Sequence, residues 1–184
     1  MYEVEYKVEI TKAEKNKLNE LFERIGFVGK DILNQNDFYI SAEPSPLGGY
    51  NTKRYRDEGF RVLYTEKIWE DNDGNKIRRE VEREVPRNIF LSDIKKYPNA
   101  TKIKKDRKSF LGMYEGQEIH IDMDDVKFDH SPSVRHFIEA EVLSENRDAV
   151  VSLREGMKDF LTESLGRSEI KEASGMFTMA FEKK

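Results

Sequence analysis

The chain has 184 residues, with 37% hydrophobic and 37% charged side chains, 32 basic against 36 acidic residues, and a net charge of −4. A near-balanced charge of this size argues against a global basic field for nucleic acid. The absence of cysteine excludes disulfides and thiolate metal sites, and three scattered histidines argue against zinc. A metal here would be a hard cation on carboxylates, such as Mg²⁺ or Mn²⁺. No apolar run reaches membrane-spanning length and no signal peptide is visible, so a cytoplasmic protein without membrane or nucleic-acid partners is expected. The length suits one domain, 1–184.

Taken in chain order, MYEVEYKVEI reads as a strand. Side chains alternate faces along a strand, so Tyr2, Val4, Tyr6, Val8 and Ile10 share one side and Glu3, Glu5, Lys7 and Glu9 the other. Thr11 with Glu14 makes a capping box. Leu18, Leu21, Phe22 and Ile25 follow at helical spacing, and Gly26 ends that helix. A strand is expected near 34–40, then a mobile loop through SAEPSPLGGYN. Strands follow at 52–57, 60–70 and 76–85, the last two joined by a hairpin at Asp73-Gly74. A short helix is expected at 89–97, and strands at 101–110 and 117–127 around a turn near Gly112–Gly116. A strand at 136–143 and a helix at about 147–165 come next, the helix carrying Val150, Leu153, Met157, Phe160 and Leu161 on one face. The tail, 167–184, reads equally as helix or strand. About eight antiparallel strands and two main helices give an α+β fold, with a closed or nearly closed barrel as one solution.

The polar side recurs in each strand. Arg54 shares a face with Arg56, Thr65 with Lys67, Arg78 with Glu80, Glu82 and Glu84, Lys105 with Arg107, His120 with Asp122 and Asp124, and Glu139 with Glu141. An open sheet with that face in water explains the alternation. So does a sheet closed with its charges inward. Buried charges of both signs are tolerable if carboxylates hold a metal and the basic groups hold a polyanion. Lys7, Arg54, Arg56, Lys67, Lys105 and Arg107 are more cations than one phosphate needs and suit a chain of phosphates. The alternation alone slightly favours the open sheet.

Several short motifs, in order, resemble those of the CYTH domain, or triphosphate tunnel metalloenzyme, family. Glu3-Val-Glu5-Tyr-Lys7 resembles its ExExK signature, Asp37-Phe-Tyr39 its DxY, Arg54-Tyr-Arg56 its RxR and Thr65-Glu-Lys67 its TxK. Glu80-Val-Glu82 resembles its ExE, Lys105-Asp-Arg107 its KxR, Met123-Asp124-Asp125-Val126 its late acidic strand, and Phe137-Ile-Glu139-Ala-Glu141 its FxExE. The likeness runs from residue 1 to about 143. Two positions depart from it: Ile40-Ser41 stands where the family often has Asp-Thr, and the usual terminal Ser-Tyr is replaced around Ser174–Phe177.

This resemblance implies an eight-stranded antiparallel tunnel with a charged lumen and helices outside. It implies hydrolysis of a triphosphate, foremost inorganic tripolyphosphate to pyrophosphate and phosphate, with nucleoside triphosphates as further substrates. Alternatives are a class IV adenylyl cyclase making cAMP and a non-catalytic polyphosphate-binding module. Lys7, Arg54, Arg56, Lys67, Lys105 and Arg107 would cradle the triphosphate. Glu139, Glu141 and Asp124 would hold one Mg²⁺ or Mn²⁺. Glu3 and Glu5 would serve a second ion and the attacking water, with Glu80 and Glu82 completing the acidic side. Tyr39 beside Lys67 resembles a catalytic pair of the thiamine triphosphatase branch. A homodimer is compatible with the chain. Arg78, Arg79, Arg83, the three histidines and Trp69 are expected to be surface or packing residues.

Overall fold

The computed structural model describes residues 2–72 and 75–181, so the expected Asp73-Gly74 turn lies outside the described residues. In chain order the elements are β1 (Tyr2–Ile10), α1 (Lys12–Arg24), β2 (Val28–Gly29), β3 (Leu33–Pro44), β4 (Tyr50–Asp57), β5 (Val62–Asn72) and β6 (Asn75–Glu84). Then come α2 (Arg87–Ile94), β7 (Thr101–Tyr114), β8 (Gln117–Phe128), β9 (Val134–Ser144), a 3-10 turn at Arg147–Ala149, α3 (Val150–Leu165) and α4 (Met176–Phe181). The class is α+β, as expected, and the described residues form one antiparallel sheet of nine strands, the short β2 being added to the expected eight or so. The chain divides into two compact units.

The first unit comprises 1–32, 106–126 and 135–173. Its strands run in the order β2-β7-β8-β9-β1. β1 pairs with β9 from Tyr2↔Ser144 to Ile10↔His136, which sets Glu5 opposite Glu141 and Lys7 opposite Glu139. Val4, Tyr6, Val8 and Ile10 are buried on the apolar side. The capping box forms as the spacing requires: the Thr11 hydroxyl accepts from the Glu14 backbone N–H, and the Thr11 N–H donates to the Glu14 carboxylate at 2.7 Å. Lys15, Leu18 and Phe22 make the buried face of α1. Ile25 leaves it, half exposed at the C-cap, because Gly26 (φ +88) turns the chain there.

Phe22 packs against Phe27 and Phe160 with near-parallel rings and against Phe110 at 5.4 Å. This aromatic core explains two departures from the sequence expectation. Val28–Gly29 makes a two-residue strand on β7, too short to leave a periodic signal. Gly112 is part of β7 and not of a turn, since a Cβ there would stand 2.3 Å from the Phe27 ring. The turn is confined to Glu115-Gly116.

The second unit comprises 33–105, 127–134 and 174–184, and its strands run β7-β3-β4-β5-β6. β3 and β4 extend to Pro44 and Tyr50, so only Ser45–Gly49 of the expected mobile loop is loop. A register shift between Tyr39 and Ser41 bends β3. Tyr55, Val62 and Phe90 form an apolar core with Phe38, Ile40 and Tyr64, so α2 covers the apolar side of this sheet. Within the described tail only Met176–Phe181 is helix, α4, with Met176, Phe177, Met179 and Ala180 buried.

Two outcomes follow. Gly112→Ala should lower stability by about 1–3 kcal/mol, because the Phe27 ring must move to admit the methyl group; a denaturant midpoint measures it. Burial tends to raise the Glu14 carboxyl, but the Thr11 N–H and Arg167 outweigh that and hold it low. Stability from this group is therefore present above the ordinary Glu value of about 4.3 and lost as pH falls through its lowered folded value. Glu14→Gln should flatten that part of the pH–stability curve.

Candidate triphosphate site

The charged faces of the strands are mostly buried or half-buried. In the second unit, Asp37, Arg54, Arg56, Thr65 and Lys105 are each less than a tenth exposed. They come together because Asp37 lies opposite Arg56, and Tyr39 opposite Arg54, across β3–β4, while Arg54 lies opposite Thr65 across β4–β5. Arg56 grips Asp37 with two bonds, Nε to Oδ1 at 2.8 Å and Nη2 to Oδ2 at 3.1 Å. Arg54 approaches the same carboxylate at 3.4 Å and Lys105 at 3.5 Å. Three buried cations thus share one buried anion. Burial alone would raise the Asp37 carboxyl, but Arg56, Lys105 and Arg54 hold it well below the usual range.

Arg54 donates from Nη2 to the Thr65 hydroxyl at 3.2 Å, which donates onward to Glu82 at 3.1 Å. Its Nε–H is buried with no hydrogen-bond partner among the described residues. An unmet buried donor costs about 1–3 kcal/mol, and more for a charged group. One strand row farther, Lys67 lies opposite Thr52 and Glu80, with its ammonium 2.5 Å from the Glu80 carboxylate. Glu82 is exposed. The Tyr39 ring lies against Arg54, 6.0 Å from its guanidinium carbon, and against Phe177. Lys67 lies one strand row farther on, and Tyr39 stands directly opposite Arg54.

In the first unit the balance is reversed. Arg107 donates from Nε and Nη2 to Asp124 at 2.8 and 2.7 Å, reaches Glu139 at 3.4 Å, and forms a very short bond to Asp122. Burial opposes its charge, but Asp124, Asp122 and Glu139 keep it protonated well beyond the ordinary range. Lys7 holds the other Glu139 oxygen at 2.9 Å. Asp122 was not among the expected ligands; its shared face with Asp124 was the available signal. It also accepts from the Ser109 hydroxyl at 2.6 Å. Glu3, Glu5 and Glu141 are half-buried on the same unit.

No group of three or more His, Asp or Glu among the described residues is arranged to hold a metal. Of the seven expected metal ligands, Glu3, Glu5, Asp124, Glu139 and Glu141 belong to the first unit and Glu80 and Glu82 to the second. Glu5 and Glu141 stand directly opposite each other, an arrangement that repels unless a cation is near. Mg²⁺ characteristically takes one or two protein carboxylates and completes its shell with phosphate oxygens and water. The donor chemistry therefore fits a hard divalent ion bound together with a phosphate substrate.

The Arg78 side chain lies outside the described residues. Arg79 pairs with Glu70 at 2.7 Å in an exposed position, and Arg83 lies over the Tyr64 ring. His136 bonds Asp125 at 2.7 Å, beside the Lys15–Asp125 ion pair. His130 stacks on Phe128, and His120 is half-buried near Glu118. No helix among the described residues is long and apolar enough to cross a membrane.

Comparison with solved structures finds the same fold at low identity. The PH1819 protein of Pyrococcus horikoshii OT3 matches with a TM-score of 0.71 and 20% identity over 100% of both chains. HpAC1 of Hippeastrum, assigned as an adenylyl cyclase and described as having a dominant triphosphatase activity, matches at 0.60 and 13%, over 100% of this chain and 97% of that one. A Bacillus halodurans protein assigned as an adenylate cyclase matches at 0.59 and 13%, over 98% and 100%. A sequence search of curated proteins finds no match. The CYTH domain family model matches residues 1–175, so the chain belongs to the CYTH domain family.

Proposed function

We propose that this chain, working as one domain over 1–184, is a divalent-metal-dependent triphosphatase that splits inorganic tripolyphosphate into pyrophosphate and phosphate. The observation that carries this reading is the cluster on Asp37: three buried cations around one carboxylate, with an unmet Arg54 N–H. A phosphate oxygen supplies the missing acceptor for the Arg54 N–H, and a polyanion suits several convergent cations. That the HpAC1 protein is described as having a dominant triphosphatase activity favours hydrolysis over cyclisation.

In this reading Arg54, Arg56, Lys67, Lys105, Lys7 and Arg107 hold the phosphate oxygens. Glu3, Glu5, Glu80, Glu82, Asp124, Glu139 and Glu141 are the carboxylates available to Mg²⁺ or Mn²⁺ at one or two sites. The bound ion would neutralise phosphate oxygens and lower the barrier to attack at phosphorus. Glu3 or Glu5 orients a water in line with the terminal phosphorus and takes its proton as the new O–P bond forms and the bridging P–O bond breaks. Arg54 and Lys67 stabilise the departing pyrophosphate, and Tyr39, packed on Arg54, holds that guanidinium in place. The substrate is a small molecule, and a cytoplasmic setting suits it.

Purified protein with Mg²⁺ or Mn²⁺ should release phosphate from tripolyphosphate, with pyrophosphate as the co-product on ion chromatography. No phosphate release would overturn the assignment. With ATP, cAMP plus pyrophosphate would show a cyclase instead, and tight binding without turnover a binding module. Arg54→Lys keeps the charge but cannot place a forked pair of N–H groups, and should lower kcat/KM by about 10²-fold or more. Glu5→Gln should lower kcat far more than it weakens tripolyphosphate binding measured without metal.

A further inference from the structure

The second unit carries two helices, and they lie on opposite kinds of surface. α2 covers the apolar face through Phe90, which packs on Phe38 and Tyr55. α4 packs instead on residues of the charged face. Tyr50 alternates with Thr52, Arg54 and Arg56 along β4, so its ring stands on the same side as the phosphate-binding side chains. Tyr39 stands there too, opposite Arg54. Phe177 contacts both rings, Tyr39 at 5.3 Å and Tyr50 at 5.2 Å. Phe181 adds a contact to Tyr50 at 5.9 Å and stacks on Phe177 at 5.4 Å.

Trp69 belongs to the same face. It alternates with Lys67 and Thr65 along β5. Its backbone N–H donates to the Asn51 side chain at 2.9 Å, and its indole nitrogen lies so close to Gly49 that a Cβ there would stand 3.3 Å away. The face therefore grades from the Asp37 cluster, through Thr52, Lys67 and Glu80, to an aromatic end at Tyr50 and Trp69. Rows are two residues apart, about 7 Å along a strand. The other end of the face is closed by polar groups: buried Gln35 donates to buried Glu58 at 2.8 Å, and Arg61 caps Glu58 at 2.6 Å. A carboxylate there repels phosphate, and the Arg61 guanidinium beside it is already engaged, bonded to Glu58 and lying 5.3 Å from the Phe60 ring centre.

An organic substituent on a phosphate held by Arg54 and Lys67 would thus point to the aromatic end. Phe177 already fills the space over Tyr39 and Tyr50. We propose that α4, through Phe177, excludes the organic part of substituted triphosphates such as nucleoside triphosphates, and so restricts the site to the unsubstituted polyanion. Phe177 is a specificity-determining residue that touches no phosphate. This inference rests on the triphosphatase reading above.

The test compares wild type, Phe177→Ala and the milder Phe181→Ala with tripolyphosphate and ATP. Phosphate release gives kcat/KM for each substrate, and calorimetry without added metal gives Kd for tripolyphosphate and the β,γ-imido analogue of ATP. Thermal unfolding confirms that each variant is folded. The expected result is a wild-type preference for tripolyphosphate that Phe177→Ala shifts toward the nucleotide by at least about tenfold, in both kcat/KM and Kd ratios, with a smaller shift in Phe181→Ala. An unchanged ratio in folded variants, or equal losses for both ligands, overturns the inference and leaves the triphosphatase reading intact. Wild type preferring the nucleotide overturns it too. Wild type that neither binds nor cleaves tripolyphosphate removes the functional reading and the inference together.

Discussion

Buried charge needs a counter-charge, and the Asp37 cluster shows how this protein meets that constraint. Arg56, Arg54 and Lys105 are taken out of water together and converge on a single carboxylate. Isolated, any one of them would be too costly to bury. Asp37 holds all three in place, and Glu80 lies 3.9 Å from Arg54 as a further counter-charge. In the triphosphatase reading proposed above, this concentration of cations receives the polyanion, and Asp37 keeps the guanidinium planes oriented before it arrives. Orientation established during folding need not be established during binding.

The first unit solves the same problem with the opposite sign. Arg107 is surrounded by Asp122, Asp124 and Glu139, and Lys7 shares Glu139. Acid is in excess there. Glu5 facing Glu141 adds to it. The first unit thus carries a carboxylate-rich face and the second a cation-rich one. The apolar sides of both units do the ordinary work of stability: the Phe22, Phe27, Phe110 and Phe160 rings in one, and Tyr55, Val62 and Phe90 in the other.

Placement of α4 adds selectivity to this design. A helix bearing Phe177 and Phe181 would ordinarily seek an apolar sheet face. Here its aromatic partners, Tyr39 and Tyr50, are interleaved with arginines on one strand face. Local hydrophobic contact holds α4 at the edge of a polar cradle, where it bears on what else can enter.

Much of this was legible from residue order. Period-two alternation placed Arg54 with Arg56 and Glu3 with Glu5, because a strand leaves a side chain no third direction. Thr11 and Glu14 announced the start of α1 because their hydrogen bonds close within one turn. Other features depended on distant partners. Gly112 belongs to a strand because Phe27 occupies the space beside it. Tyr39 faces Arg54, with Lys67 one row on, because cross-strand register decides neighbours that spacing alone leaves open. Asp122 joins Arg107 for the same reason. The tail becomes α4 because Tyr39 and Tyr50 offer its aromatic residues somewhere to pack. Sequence by itself determined which side chains share a face, since that follows from backbone geometry. Tertiary structure alone decided which of them meet, which are buried and what covers them, since those depend on pairing between segments far apart in the chain.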